Sequence, residues 1–191
     1  MEKMDRRVKY TKNMLKDALV QLLQKQHISS ISVKALCELA DINRSTFYSH
    51  YADPHDLLHQ LEKEVVANVR QYLDQQDYQN TRPISQQVMT NILEYAKQNA
   101  GLFEALLSEN SDYAVQEDII GLSQIVSSQY NLELDATTKA YIQCFGTAGC
   151  ISVIQKWLRD GTVESASSIS DFIIQITQNG IASFESLEMT E

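Results

Sequence analysis

With 191 residues, of which 43% are hydrophobic, the chain is long enough to bury the core of one or two domains without disulfides or metals. Cys37, Cys144 and Cys150 form neither an even framework nor a close-spaced metal pair. No run of about 18 apolar residues offers a membrane span, and the basic N-terminus lacks a signal peptide's apolar core, so a soluble cytoplasmic protein is expected.

Two prolines, six scattered glycines and no alternating β-branched runs predict an all-α protein of about nine helices. The first is expected from Tyr10 or Thr11 to Gln26, with Leu15, Ala18, Leu19, Leu22 and Leu23 as its apolar stripe and Thr11 or Asn13 as N-cap. His27 to Ile31 reads as a short connection whose Ile28 and Ile31 enter a small core. Ser32 to Tyr51 then reads as a helix-turn-helix. Val33, Leu36, Leu39 and Ala40 share one face, Asp41 stands where left-handed backbone is required, and the chain restarts at the N-cap Asn43 with Phe47 and Tyr51 as the next apolar pair.

Asp53 as N-cap, Pro54 at the first helical position and Asp56 in the first turn predict a new helix. Its apolar face runs from Leu57 through Leu73, to about Gln76. After a polar loop ending at Pro83, Ile84, Val88, Ile92, Tyr95 and Ala96 line another helix. Gly101 to Leu107 is a short one, and Asp112 to about Tyr130 a less regular one. Asp135 caps a long helix to about Arg159, stopped by Gly161, and Ser165 or Ser168 starts the last. Gly180 inside it implies close packing or a kink.

These last two helices, about 135–159 and 166–187, are apolar on more than one side. That predicts either a homodimer paired through them or a monomer in which they are central. Domains of 1–52 and 53–191 are expected. Charge follows that division: residues 1–52 carry nine Lys/Arg against five Asp/Glu, a balance of +4, and the remainder seven against twenty, −13. Only the basic end suits a polyanion.

The segment Thr46-Phe47-Tyr48-Ser49-His50-Tyr51, followed by the capped helix at Asp53-Pro54, resembles the DNA-binding domain of the TetR family of bacterial transcription regulators, and the likeness runs from about Val8 to Leu61. Gly101 to Asn110 and Phe145 to Gly161 are similar to a subgroup that includes an activator of dihydroxyacetone kinase genes. Four positions depart from the family pattern. Asp41 replaces Gly or Asn, Asn43 replaces Ser or Thr, His55 replaces Lys, and Cys37 replaces a buried Ala.

The resemblance implies a double-stranded DNA operator, read as a palindrome by a homodimer, and a small-molecule effector in the second domain. It puts Arg44 against base edges, where a guanidinium matches the paired acceptors of guanine. Ser45 and Thr46 lie beside it, and Tyr10, Thr11, Ser32, Lys34, Tyr48, His50 and His55 lie against the backbone. Tyr95, Phe103, Tyr113, Tyr141, Phe145 and Trp157 are candidate pocket residues. No cofactor or catalytic arrangement is expected. His55 and His59 lack a third ligand for zinc. The competing reading is a helical interaction module of the same fold that acts by recruiting a protein, with weak DNA affinity.

Overall fold

A computed structural model describes residues 2–75, 84–108, 110 and 135–185, the side chains of 2–5 and 181–185 excepted. The described residues form eight α-helices and one 3-10 turn, which bears out the all-α expectation. No helix among them is long and apolar enough to cross a membrane. Two compact units emerge. Residues up to Val65 join with the described residues from Gly101 to Asn110, and Val66 to Ala100 join with those from Asp135 onward.

In the first unit, α1 (Glu2–Leu23) begins well before Tyr10. Its early residues are mostly Glu, Lys, Met and Arg, good helix formers, and no Gly or Pro interrupts them. Thr11 is therefore an interior helical residue, 8% exposed, and neither it nor Asn13 is the N-cap. Leu15, Ala18, Leu19 and Leu23 are buried as the stripe predicts. A 3-10 turn (Ile28–Ser30) follows, and Ile28 and Ile31 are buried.

Helix α2 (Val33–Ala40) is capped by Ser32, whose Oγ accepts the Ala35 N–H at 3.1 Å. Its buried face is Leu36, Cys37 and Ala40, while Leu39 is 46% exposed. Spacing alone places Leu39 inside. Eight residues make barely two turns, and the contacts with α1 and α3 cover the side centred on Leu36 and Cys37. Asp41 adopts φ 53, ψ 45, the predicted left-handed residue, and the amides of Asp41 and Ile42 both donate to the Cys37 carbonyl in a Schellman-type stop.

Helix α3 (Arg44–Tyr48) starts after Asn43, which has the extended backbone of an N-cap but makes no side-chain cap bond. Helix α4 (Pro54–Leu73) starts as predicted at Pro54. Helix α6 (Ala100–Leu106) leads to Asn110, whose Nδ2 donates to the Leu23 carbonyl at 2.9 Å and whose carbonyl accepts the Ile28 N–H at 3.0 Å. This stretch of the expected second domain thus packs on the end of α1. The expected helix at Asp112 to Tyr130 lies outside the described residues.

In the second unit, α5 (Gln86–Gln98) is capped by Ser85 and buries Val88, Leu93 and Ala96. Asp135 caps α7 (Ala136–Arg159), accepting the amides of Thr137 and Thr138 at 2.9 and 3.0 Å. Gly161 (φ 81) ends it, its amide bonded to Leu158 O and that of Thr162 to Trp157 O. In α8 (Ala166–Glu185) the cap is Ser165, which accepts the Ser168 N–H at 3.1 Å. The helix packs along α5, where the buried Ser170 hydroxyl donates to Gln86 O at 3.2 Å.

Candidate nucleic-acid interface

Phe47 is fully buried and Tyr51 2% exposed, with ring centres 5.7 Å apart. They anchor α3 from beneath, and a helix anchored on one side presents the other to solvent. Arg44, Ser45 and Tyr48 are exposed there, with Thr46 and His50 half-buried. Tyr48 packs edge-on against Phe47, and His50 against Tyr51. The polar rim thus stands on the aromatic core.

At the start of α2, Ser32 uses an oxygen lone pair as a cap, so its O–H proton can still be donated outward. Lys34 is exposed and 3.8 Å from Glu38, a surface pair too weak to hold it back from a phosphate. Tyr10 is 63% exposed and His55 is exposed at the start of α4. Thr11 is the one expected contact residue that is buried, and it is turned toward the core stripe of α1. Cys37 lies beneath this surface. Burial pushes its thiol up and the Arg44 charge partly offsets that, so it is a small apolar filler.

The rim is held by the start of α4 and by two lysines of α1. At α4, Asp53 Oδ1 accepts the Asp56 N–H and Asp56 Oδ2 accepts the Ala52 N–H, both at 2.9 Å, a variant of the capping box in which the return bond comes from the residue before the cap. The Ala52 N–H, and next the Gln60 amide, hold the Asp56 carboxyl below the usual carboxylate range. Lys16 pairs with Glu64, and the Lys12 ammonium sits 5.9 Å from the centre of the Tyr51 ring. Helix α1 is thereby tied both to α4 and to Tyr51, three residues beyond α3. Among the described residues no group of three His, Cys, Asp or Glu side chains is placed to hold a metal ion.

In the second unit, an open apolar groove of about 660 Å³ runs between α7 and α8, with Tyr141, Phe145, Gly149, Phe172 and Ile176 among its lining residues. Tyr141 is 73% and Phe145 79% exposed. Among the described residues, no atom beyond the helix's own backbone and the adjoining residues lies within 4 Å of where a Cβ would sit on Gly146, Gly149 or Gly180, so, of the close packing or kink expected at Gly180, close packing is not made among them. Of the expected pocket aromatics described in this unit, Tyr141 and Phe145 line the groove, and Tyr95 and Trp157 are not among its lining residues. Trp157 is buried and its Nε1 donates to Glu164 O at 3.0 Å, which pins the α7–α8 turn. Tyr95 accepts a hydrogen bond from Asn68 at 2.9 Å and its ring lies against Tyr72. Phe103 is in the first unit, and Tyr113 is outside the described residues.

Residues 85–179 match the TetR-type family model described as a transcriptional regulator C-terminal region. The chain belongs to the TetR family of transcription regulators. Its fold is shared with other TetR-family proteins at low identity. A TetR transcriptional regulator from Streptococcus agalactiae 2603V has 21% identity and a TM-score of 0.63 over 91% of this chain and 97% of that one. The dihydroxyacetone kinase operon activator DhaS has 18% and 0.57 over the same shares. NalD, the secondary repressor of the MexAB-OprM multidrug efflux pump in Pseudomonas aeruginosa, has 13% and 0.60 over 89% and 95%. No curated protein matches in sequence.

Sequence reasoning missed two features of this TetR-family chain: the helical residues 2–9 ahead of Tyr10, and the bonding of Asn110 to Leu23 and Ile28. The first was signalled by an unbroken run of helix formers. The second, a contact across 87 positions, had no local signal.

Proposed function

We propose that this regulator is a ligand-responsive repressor that binds a palindromic operator as a homodimer in the cytoplasm. The observation that carries the proposal is the exposed Arg44-Ser45-Tyr48 face of α3, fixed from beneath by Phe47 and Tyr51. A five-residue helix held so rigidly presents its N-terminal side chains to the major groove. Arg44 reads a guanine edge, with Ser45 and Thr46 alongside. Ser32, Lys34, Tyr48, His50, His55 and Tyr10 grip phosphates and set the register.

The second copy covers the α7–α8 groove. The exposed Tyr141, Phe145, Phe172 and Ile176 form a contiguous apolar face, and the open glycines accept close helix approach. The effector acts from the second unit through the Tyr95 cluster. Asn68 and Tyr72 lie on the last turns of α4, so a ligand that moves Tyr95 moves the helix whose first turn is capped beside α3.

The test is selection of genomic fragments by the full chain, followed by gel shift in moderate salt. A recurring palindromic fragment supports the repressor reading. Recovery of no specific fragment favours the protein-recruiting module.

A further inference from the structure

Helix α1 carries a basic arm that the helix-turn-helix does not account for. Lys16 pairs with Glu64 inside α4, while Lys12, one turn earlier, sits over Tyr51 just ahead of α4. Following α1 toward its N-terminus therefore follows α4 back to its start and beyond, past the corner where Tyr48, His50 and Tyr51 lie. The helix continues from there. Residues 2–10 add about 13 Å at the usual rise per residue.

The side chains on this extension divide cleanly. Thr11, Leu15, Ala18 and Leu19 are buried, whereas Arg6, Arg7, Lys9 and Tyr10 are exposed. At 100° per residue, Arg6, Lys9 and Tyr10 share the face opposite the core and Arg7 flanks it. Lys12 and Lys16 are engaged inside the unit, but among the described residues Arg6, Arg7 and Lys9 have no ion-pair partner. Residues 2–9 carry four basic side chains against Glu2 and Asp5.

We infer that Arg6, Arg7 and Lys9 form a second DNA-backbone contact site, which grips phosphates flanking the bases read by α3. This rests on the DNA-binding reading above. Polyvalent phosphate is the partner that this chemistry favours, because clustered, exposed cations release condensed counterions on contact while carrying no base information. The arm lengthens the footprint of each head and leaves its sequence preference to Arg44.

The test compares binding of a selected operator duplex across about 50 to 200 mM salt for three full-length proteins: wild type, R6A/R7A/K9A, and K97A/K139A/R159A, which removes the same charge from α5 and α7. All the replaced side chains are exposed, and thermal melts verify folding. The arm variant is expected to bind more weakly, with a log K against log salt slope shallower by about 0.9 for each phosphate it no longer neutralises and with base preference intact. The α5/α7 variant keeps the wild-type slope. A slope in the arm variant equal to that of wild type, or an equal change in both variants, overturns the inference while the operator binding of wild type stands. Failure of wild type to bind any selected duplex overturns both readings.

Discussion

Asp53 accepts the amide of Asp56 at the first turn of α4 while Asp56 accepts that of Ala52, each at 2.9 Å. This pair fixes the joint between α3 and the long helix. Asp53→Ala removes a cap and is expected to cost about 1 kcal/mol, read as a lowered midpoint in urea, with Asp53→Asn close to neutral. Acid acts on the other member. Because the Asp56 carboxyl is held below its ordinary range, chiefly by the Ala52 N–H, its contribution is complete above the unfolded-state value. It is lost as pH falls through the lowered folded value. Urea midpoints from about pH 5 downward should fall less steeply in Asp56→Asn than in wild type.

Tyr51 gives the opposite dependence at high pH. Burial, then the charges of Glu64 and Asp56, push its hydroxyl up to about 12. A raised value means that the stabilisation is intact below the unfolded-state value of about 10 and is lost as pH climbs through the folded value. Phenolate absorbance should show one tyrosine titrating late. Tyr51→Phe should lose less stability than wild type between about pH 10 and 12.

Asp41 holds φ 53 at the turn between α2 and α3. Asp41→Gly is expected to be tolerated, since glycine adopts this geometry without penalty. Asp41→Val places a β-branched side chain in left-handed backbone and should cost about 1–3 kcal/mol in thermal or urea unfolding. Equal stability of the two variants would remove strain from the account of this turn.

Phe145 is 79% exposed on the open face of α7. If a second copy covers it, Phe145→Asp forfeits about 1.5–3 kcal/mol of burial per protomer and adds a buried charge. Light scattering at micromolar concentration should then show wild-type dimer and mutant monomer. A wild type that stays monomeric contradicts the dimer.

Local chemistry was readable in the sequence, and long-range packing was not. Asp53, Pro54, Asp135 and Gly161 announce helix ends because their side chains or backbone preferences act within one turn. Asp41 was legible for the same reason. Thr11 misled because its hydroxyl has cap chemistry, whereas its place in a buried stripe depends on where α1 begins. Leu39 misled because face counting treats every position of a short helix as equally covered. At Asn43 the position was right, but the expected side-chain bond is not made. The meeting of Asn110 with Leu23 and Ile28, and the groove that Tyr141 and Phe145 share with Phe172, exist only once distant helices are placed. The positions of α3 side chains at the candidate interface were legible almost throughout, since each follows from the caps and from Phe47.

In the proposed binding mode, α3 reads a specific DNA sequence through Arg44. Fluorescence anisotropy in about 0.15 M salt, with a selected duplex and a scrambled one of equal length, tests it most directly. The wild type should prefer the selected duplex by at least about a thousandfold. Arg44→Ala should lose about 1–3 kcal/mol of that preference and relax one base position, whereas Lys34→Ala weakens both duplexes alike. Equal affinity of the wild type for the two duplexes, or an unchanged preference in Arg44→Ala, would contradict the account.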